Sequence, residues 1–273
     1  MMSNLFKRIL LFISVFCING LLYANPSLVK NPKLYAIVIG IGEYPKANFS
    51  SKFAKNDATA ISQRLKAQVG AIYTQGNIQL LNQPEQTSHT SIQQAFEDVK
   101  SKIKPTDTFV VFIAGEADRV DKEYYLLTSK TQDFSAKQLQ DTALSVTELK
   151  NLIVQIPTTR KLILFDTPMS GSLMKATDLF AQHHGIKCKA GMILTAGQYI
   201  IEDGFRGHSL FTYLILDALT GIADTNKNNL IESNELAQYI EAATPMIAKH
   251  AFNRRQTPCI DKCGGNLKFK KIQ

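Results

Sequence analysis

Leu34-Tyr35-Ala36-Ile37-Val38-Ile39-Gly40 sets the architecture: an uninterrupted uncharged run closed by glycine, the pattern of a strand buried on both faces. Downstream, Ala54, Ala58, Ile61, Leu65 and Val69 recur at helical spacing. Ile78 to Leu81 reads as a short second strand, and Ile92, Phe96, Val99 and Ile103 as a second helical stripe stopped by Pro105. Thr108 to Ala114 (TFVVFIA) repeats the doubly buried pattern, and Tyr124 to Leu127 suits a small hairpin strand. Val146, Leu149, Leu152 and Ile156 mark a third helix ended by Pro157, before strands at Lys161 to Phe165 and Met192 to Ala196. Helices follow over Ser209 to Leu219 and Asn234 to Lys249, with Asn266 to Phe269 as an edge strand. Strands alternating with helices predict an α/β fold, a mostly parallel central sheet covered by helices on both faces. No Gly/Ser/Pro-rich linker and no repeat divides the chain, which reads as one domain.

The composition is that of a globular protein of 273 residues, 45% hydrophobic and 20% charged, which excludes disordered and fibrous classes. The net charge is +8, but the basic residues are scattered. Arg254-Arg255 and the Lys268, Lys270, Lys271 tail are too sparse for a nucleic-acid stripe, so no nucleic-acid partner is expected. Lys7 and Arg8 precede an apolar run from Ile9 to Ile18, and Leu21-Leu22-Tyr23-Ala24 ends in a small residue. That is the layout of a secretory signal peptide over residues 1–24. The run is shorter than the roughly 20 residues a bilayer span needs, and Phe16 before Cys17 is the wrong residue for a lipoprotein signal. Removal of Lys7 and Arg8 leaves 8 − 2 = +6. A secreted or periplasmic protein, with no membrane attachment after signal cleavage, is expected.

Cys188, Cys259 and Cys263 remain, an odd number that allows at most one internal bridge. Cys259 and Cys263, four apart beside Pro258 and Gly264-Gly265, are the expected pair. Zinc would need two further ligands, and His250 alone is poor support.

In such folds the reactive groups sit at the carboxyl ends of the strands. Two such ends carry Ala114-Gly115-Glu116-Ala117-Asp118 and Asp166-Thr167-Pro168-Met169-Ser170-Gly171. With Ala36-Ile37-Val38-Ile39-Gly40-Ile41-Gly42-Glu43-Tyr44, Asn56-Asp57-Ala58, Tyr124-Tyr125-Leu126-Leu127, Gly207-His208-Ser209-Leu210-Phe211-Thr212 and Gln256-Thr257-Pro258, they resemble the caspase/metacaspase cysteine peptidases in their bacterial form. The resemblance runs from about Lys33 to the C-terminus, residues 33–273, and implies a three-layer αβα caspase-like fold.

It also implies a lost dyad. The family's third strand ends in Gly-His-Gly, whose His is the base, and its fourth in Asp-x-Cys-x-Ser-Gly, whose Cys is the nucleophile. Here Glu116 stands at the His position and Pro168 at the Cys position. Proline offers no nucleophile and no backbone N–H for the oxyanion. Losing one such donor costs about 10²–10³ in rate, and losing the base about 10²–10⁴. Asp166 matches the position that in metacaspases helps form an acidic pocket for a basic substrate side chain. The alternative is a carboxylate that caps backbone N–H groups at the strand end.

Independently, Asp224-Thr225-Asn226-Lys227-Asn228-Asn229-Leu230-Ile231-Glu232-Ser233-Asn234-Glu235 follows the twelve-residue EF-hand loop. Asp224, Asn226 and Asn228 supply side-chain oxygens, Leu230 a carbonyl, Glu232 a ligand acting through water and Glu235 the closing carboxylate. Asn229 replaces the usual glycine and tolerates the positive φ required there. Calcium is the implied cofactor, with weak affinity; the alternative is an Asn-rich turn kept for its shape.

Two function classes compete. The leading one is a secreted caspase-fold pseudopeptidase that binds a peptide or protein, including an active caspase-like relative. The other is an enzyme with a relocated nucleophile, Ser170 or Cys188, with His183, His184 or His208 as candidate bases. His208 reads as a helix-start residue. A structural envelope domain with no ligand is a third reading.

Overall fold

A computed structural model describes residues 32–46, 50–168, 188–197 and 204–270. The opening strand, β1 (Leu34–Gly40), is buried at every position. After it come α1 (Ala54–Lys66), β2 (Gly76–Leu81), α2 (His89–Lys100) and the fully buried β3 (Thr108–Ala114). A small antiparallel sheet of β4 (Ala117–Val120), β5 (Glu123–Leu126) and β6 (Leu144–Ser145) surrounds α3 (Ala136–Thr142) in sequence, and α4 (Val146–Gln155) leads to β7 (Arg160–Asp166). Then come β8 (Ala190–Thr195), α5 (Leu210–Asp217), β9 (Leu230–Glu232), α6 (Ser233–Phe252), β10 (Cys259–Gly264) and β11 (Lys268–Lys270).

The main sheet runs β10-β8-β7-β3-β1-β2, parallel throughout except for β10, which is antiparallel to β8. Side chains alternate across each strand, yet both faces are apolar, which is why these strands read as unbroken runs. One face sends Ala36, Val38, Val110, Phe112, Leu162 and Leu164 against α1, α5 and α6. The other sends Ile37, Ile39, Phe109, Val111, Ile163 and Phe165 against α2 and α4. This is the expected three-layer caspase-like arrangement.

Gly40 fixes where α1 crosses the sheet. A Cβ there would lie 2.3 Å from the Ala54 carbonyl oxygen and 2.6 Å from Ala58 Cβ, so only glycine admits the helix. The contact lays Asn56 and Asp57 over the carboxyl end of β1. The register pairs Gly40 with Ala114 and Ala114 with Asp166, so three strand ends finish level.

Two expectations change. The tail strand forms at Lys268–Lys270 but pairs with β9 rather than joining the main sheet. The segment read as the loop of a Cys259–Cys263 bridge is the edge strand β10. Four residues of extended chain span about 13 Å, beyond the roughly 7 Å Cα separation a disulfide tolerates. Cys263 is bonded instead to Cys188, with Cα atoms 6.2 Å apart, and Cys259 is a free, exposed thiol. Among the described residues no helix is long and apolar enough to cross a membrane.

Candidate functional site

The level strand ends bring Glu116 and Pro168 onto one rim. Gly115 N donates to Asp166 O across 3.4 Å, so the chain leaves β3 and β7 side by side. Glu116, half-buried, is anchored by its backbone: its N–H donates to Tyr44 Oη at 2.8 Å, its carbonyl accepts from Leu127 N at 3.0 Å, and Tyr44 Oη donates to Ile41 O at 3.0 Å. Burial pushes the Tyr44 hydroxyl pKa upward. Pro168 is half-buried in the turn after β7. Glu116 carries a carboxyl rather than an imidazole, Pro168 has no nucleophilic atom in its side chain, and its ring nitrogen carries no proton to donate to an oxyanion.

Asp166 lies beneath this rim, on the face covered by α1 and α5, with 5% of its surface exposed. Its Oδ2 accepts from Ser209 Oγ and from Thr212 Oγ1, the latter at 2.6 Å. Its partners are therefore the hydroxyl of Ser209, just before α5, and both the hydroxyl and the backbone N–H of Thr212 in the first turn of that helix. Burial, together with the nearby carboxyl of Asp57, raises its pKa to about 7.

Asp57, 1% exposed, enters from α1. Its Oδ1 lies 2.7 Å from His208 Nδ1 and its Oδ2 accepts from Ser209 N at 3.2 Å. Burial raises its pKa, opposed by the hydrogen bond from His208. Against an ionised carboxylate Nδ1 carries the proton, which leaves Nε2 as the outer nitrogen of the ring. His208 ends a tight turn: Phe205 N donates to His208 O at 2.6 Å and His208 N to Phe205 O at 3.2 Å. Arg206 and Gly207 have φ of 53° and 87°, the pair of positive angles a two-residue hairpin turn demands. Asn56 Nδ2 braces it by donating to Gly207 O at 2.7 Å. The helix-start residue proper is Ser209, whose Oγ caps α5 through Thr212 N at 3.1 Å.

Sequence reasoning thus located Glu116, Pro168 and Asp166 but missed Asp57, His208 and Thr212 as members of one network. All three lay inside stretches already singled out, Asn56-Asp57-Ala58 and Gly207 to Thr212. Among the proposed replacement nucleophiles, Cys188 is in the Cys188–Cys263 disulfide and has no thiol to offer. Ser170, His183 and His184 lie outside the described residues.

In the loop from Asp224 to Glu235, Asn229 has a positive φ of 64°. Asp224 Oδ1 and Oδ2 accept from Asn228 N and Asn229 N, both at 3.0 Å. Asn226 and Asn228 accept from Asn228 N and Leu230 N, at 3.0 and 2.8 Å. Glu235 reaches across the loop to Thr225 N at 3.0 Å and Asn226 N at 3.2 Å. Desolvation opposes ionisation of Glu235, but the N–H of Glu232 and these donors outweigh it and lower the carboxyl pKa. Glu232 is turned aside, accepting from Asn266 Nδ2 at 3.0 Å and pairing with Lys268 Nζ at 3.4 Å. Among the described residues no group of three or more His, Cys, Asp or Glu forms a metal cluster. The loop's candidate donors are the carboxylates of Asp224 and Glu235, the amide oxygens of Asn226 and Asn228 and the Leu230 carbonyl, an oxygen set of the kind a hard cation takes.

A mostly parallel six-stranded sheet covered by helices on both faces, with Asp57, Asp166, His208, Ser209 and Thr212 meeting at the carboxyl ends of its strands, defines the class as a three-layer α/β domain. The Caspase domain family model matches residues 33–264, and the chain belongs to that family. No curated protein compared with the chain matches it. Among solved structures, protein GSU0716 from Geobacter sulfurreducens is similar in fold, with a TM-score of 0.59 and 13% identity over 85% of this chain and 94% of that one.

Proposed function

We propose that this chain is a secreted or periplasmic caspase-fold pseudopeptidase, a module that binds a peptide or protein without cleaving it. The observation that carries the reading is the pair Glu116 and Pro168, set on adjoining strand ends where the family's chemistry requires imidazole and thiol. A disulfide closing a loop of 75 residues supports an oxidising compartment. The acids Asp166 and Asp57 supply the recognition chemistry, a charge-assisted hydrogen bond to a Lys or Arg of the bound peptide. An active caspase-like relative is one such partner.

Calcium is proposed as a weak accessory ligand of the Asp224–Glu235 loop. Asp224, Asn226, Asn228, Leu230 and Glu235 would hold it, with Glu232 through water. With Asp224 and Glu235 the only carboxylates in direct contact, a Kd on the order of 10⁻⁴ M or poorer is expected. Bound there, the ion would brace the turn between α5 and α6.

The test is direct. Purified protein with calcium is incubated with fluorogenic peptides ending in Lys, Arg or Asp, and binding is followed by polarisation. Binding of basic peptides without product release supports the proposal; turnover that survives rigorous removal of trace proteases overturns it.

A further inference from the structure

The acids proposed to recognise a basic side chain already have an occupant. Asp57 and Asp166 are 1% and 5% exposed, whereas the His208 side chain, bonded to Asp57, is 20% exposed. His208 and the exposed Asn56 form the solvent-facing layer, and both carboxyls lie beneath it. We propose that His208 is an internal plug of the acidic pocket, and that an arginine or lysine of a peptide enters only by displacing its imidazole. The inference rests on the basic-peptide reading above and supplies its regulation.

The geometry favours an exchange of like for like. An imidazole N–H on Asp57 Oδ1 at 2.7 Å makes the contact that a guanidinium N–H would make. A guanidinium has donors enough to reach Asp166 as well, which His208 does not touch. Displacement costs little backbone work. The turn Phe205–His208 is pinned by its own two hydrogen bonds and by Asn56, so rotation about the His208 side-chain bonds suffices. A binding-competent state that is only fractionally populated weakens apparent affinity by that fraction.

Protons enter the exchange with a defined sign. Among the described residues, the charged or titratable groups facing His208 are Asp57 from α1 and, behind it, Asp166 from β7. Lys55 of α1 is held away by Glu43 at 2.7 Å, and Arg206, on the same turn as His208, stacks on Phe205 and Tyr213. With Asp166 protonated below about pH 7, the pair carries less negative charge for an incoming cation. Cation binding therefore expels a proton and strengthens as pH rises from 5.5 towards 8, then levels.

The experiment measures binding of N-acetyl-arginine amide and of its uncharged norleucine counterpart to the full chain by calorimetry at pH 5.5, 7 and 8. His208→Ala opens the pocket. His208→Gln keeps a donor for Asp57 should the smaller residue unsettle the fold. The expected result is arginine binding about 10- to 100-fold tighter in His208→Ala than in the wild type, with His208→Gln between them. Equal arginine affinity in wild type and both variants overturns the plug alone. Arginine binding to none of the three, or no preference over norleucine, overturns the plug and the basic-peptide reading together.

Discussion

The two rims of the main sheet solve the problem of buried polar groups in opposite ways. At the amino rim the groups meet mainly the backbone or a covalent bond. Lys161 Nζ, on a residue only 5% exposed, donates to Ile153 O at 2.8 Å, Thr158 Oγ1 donates to Asp107 O, and Asp107 accepts from Lys33 N and Lys104 N, both at 3.0 Å. The Cys188–Cys263 disulfide closes the start of β8 against β10. At the carboxyl rim, side chains lean mainly on one another, and two carboxyls share one imidazole and two hydroxyls. Backbone partners do not titrate and fix a shape; titratable partners make a rim whose state depends on pH and on what binds. This is the division expected if function resides at the carboxyl end and stability at the other.

The largest effect expected separates the rims outright. Removing the Cys188–Cys263 bridge by paired serine substitution lowers unfolding free energy by about 3–5 kcal/mol, measured by denaturant titration. The pH profile of arginine binding stays unchanged. A shift in that profile would show that the rims are coupled and break the comparison.

Asp166→Asn comes next. The native carboxyl holds its proton to about pH 7, while the unfolded one loses it near 4. Its contribution is full below pH 4 and is lost as pH rises through 7. The variant therefore gains stability relative to the wild type, by about 4 kcal/mol at pH 8 and by almost nothing at pH 4. Thermal melts across that range check it. Lys161→Met tests the opposite slope. Desolvation lowers the Lys161 pKa to about 8, so the unfolded chain binds more protons between 8 and 10.5 and wild-type stability climbs there. The variant is more stable by about 1–2 kcal/mol at pH 7, and its advantage shrinks above pH 8. The smallest effect is Thr158→Val, a pH-independent loss of about 1 kcal/mol from the orphaned Asp107 carbonyl, read from the same melts.

How much of this was legible followed from the kind of information each feature uses. The buried strands were plain because a strand covered on both faces must be apolar at every position, as Leu34–Gly40 and Thr108–Ala114 are. Strand β10 was hidden because an edge strand needs little more than backbone pairing; Cys259-Ile260-Asp261-Lys262-Cys263-Gly264 carries no apolar alternation. The true disulfide joins residues 75 apart, an adjacency created by β8 and β10 and absent from local spacing. At the rim, Glu116 and Pro168 were legible because they interrupt otherwise matching motifs, and Asp166 because it keeps its place in one of them. The link between Asp57 and His208 was not, because it spans 151 positions and exists only once Gly40 lets α1 lie on the sheet.

The central claim is that the family's cleft is kept while its nucleophile and base are gone. Its most direct test is exposure of the folded chain to a peptidyl halomethyl ketone bearing arginine, followed by peptide mass mapping. The account predicts at most slow modification of the exposed thiol of Cys259, equally rapid in denatured protein. Stoichiometric labelling of any other side chain, dependent on the native fold and blocked by substrate peptide, would contradict it.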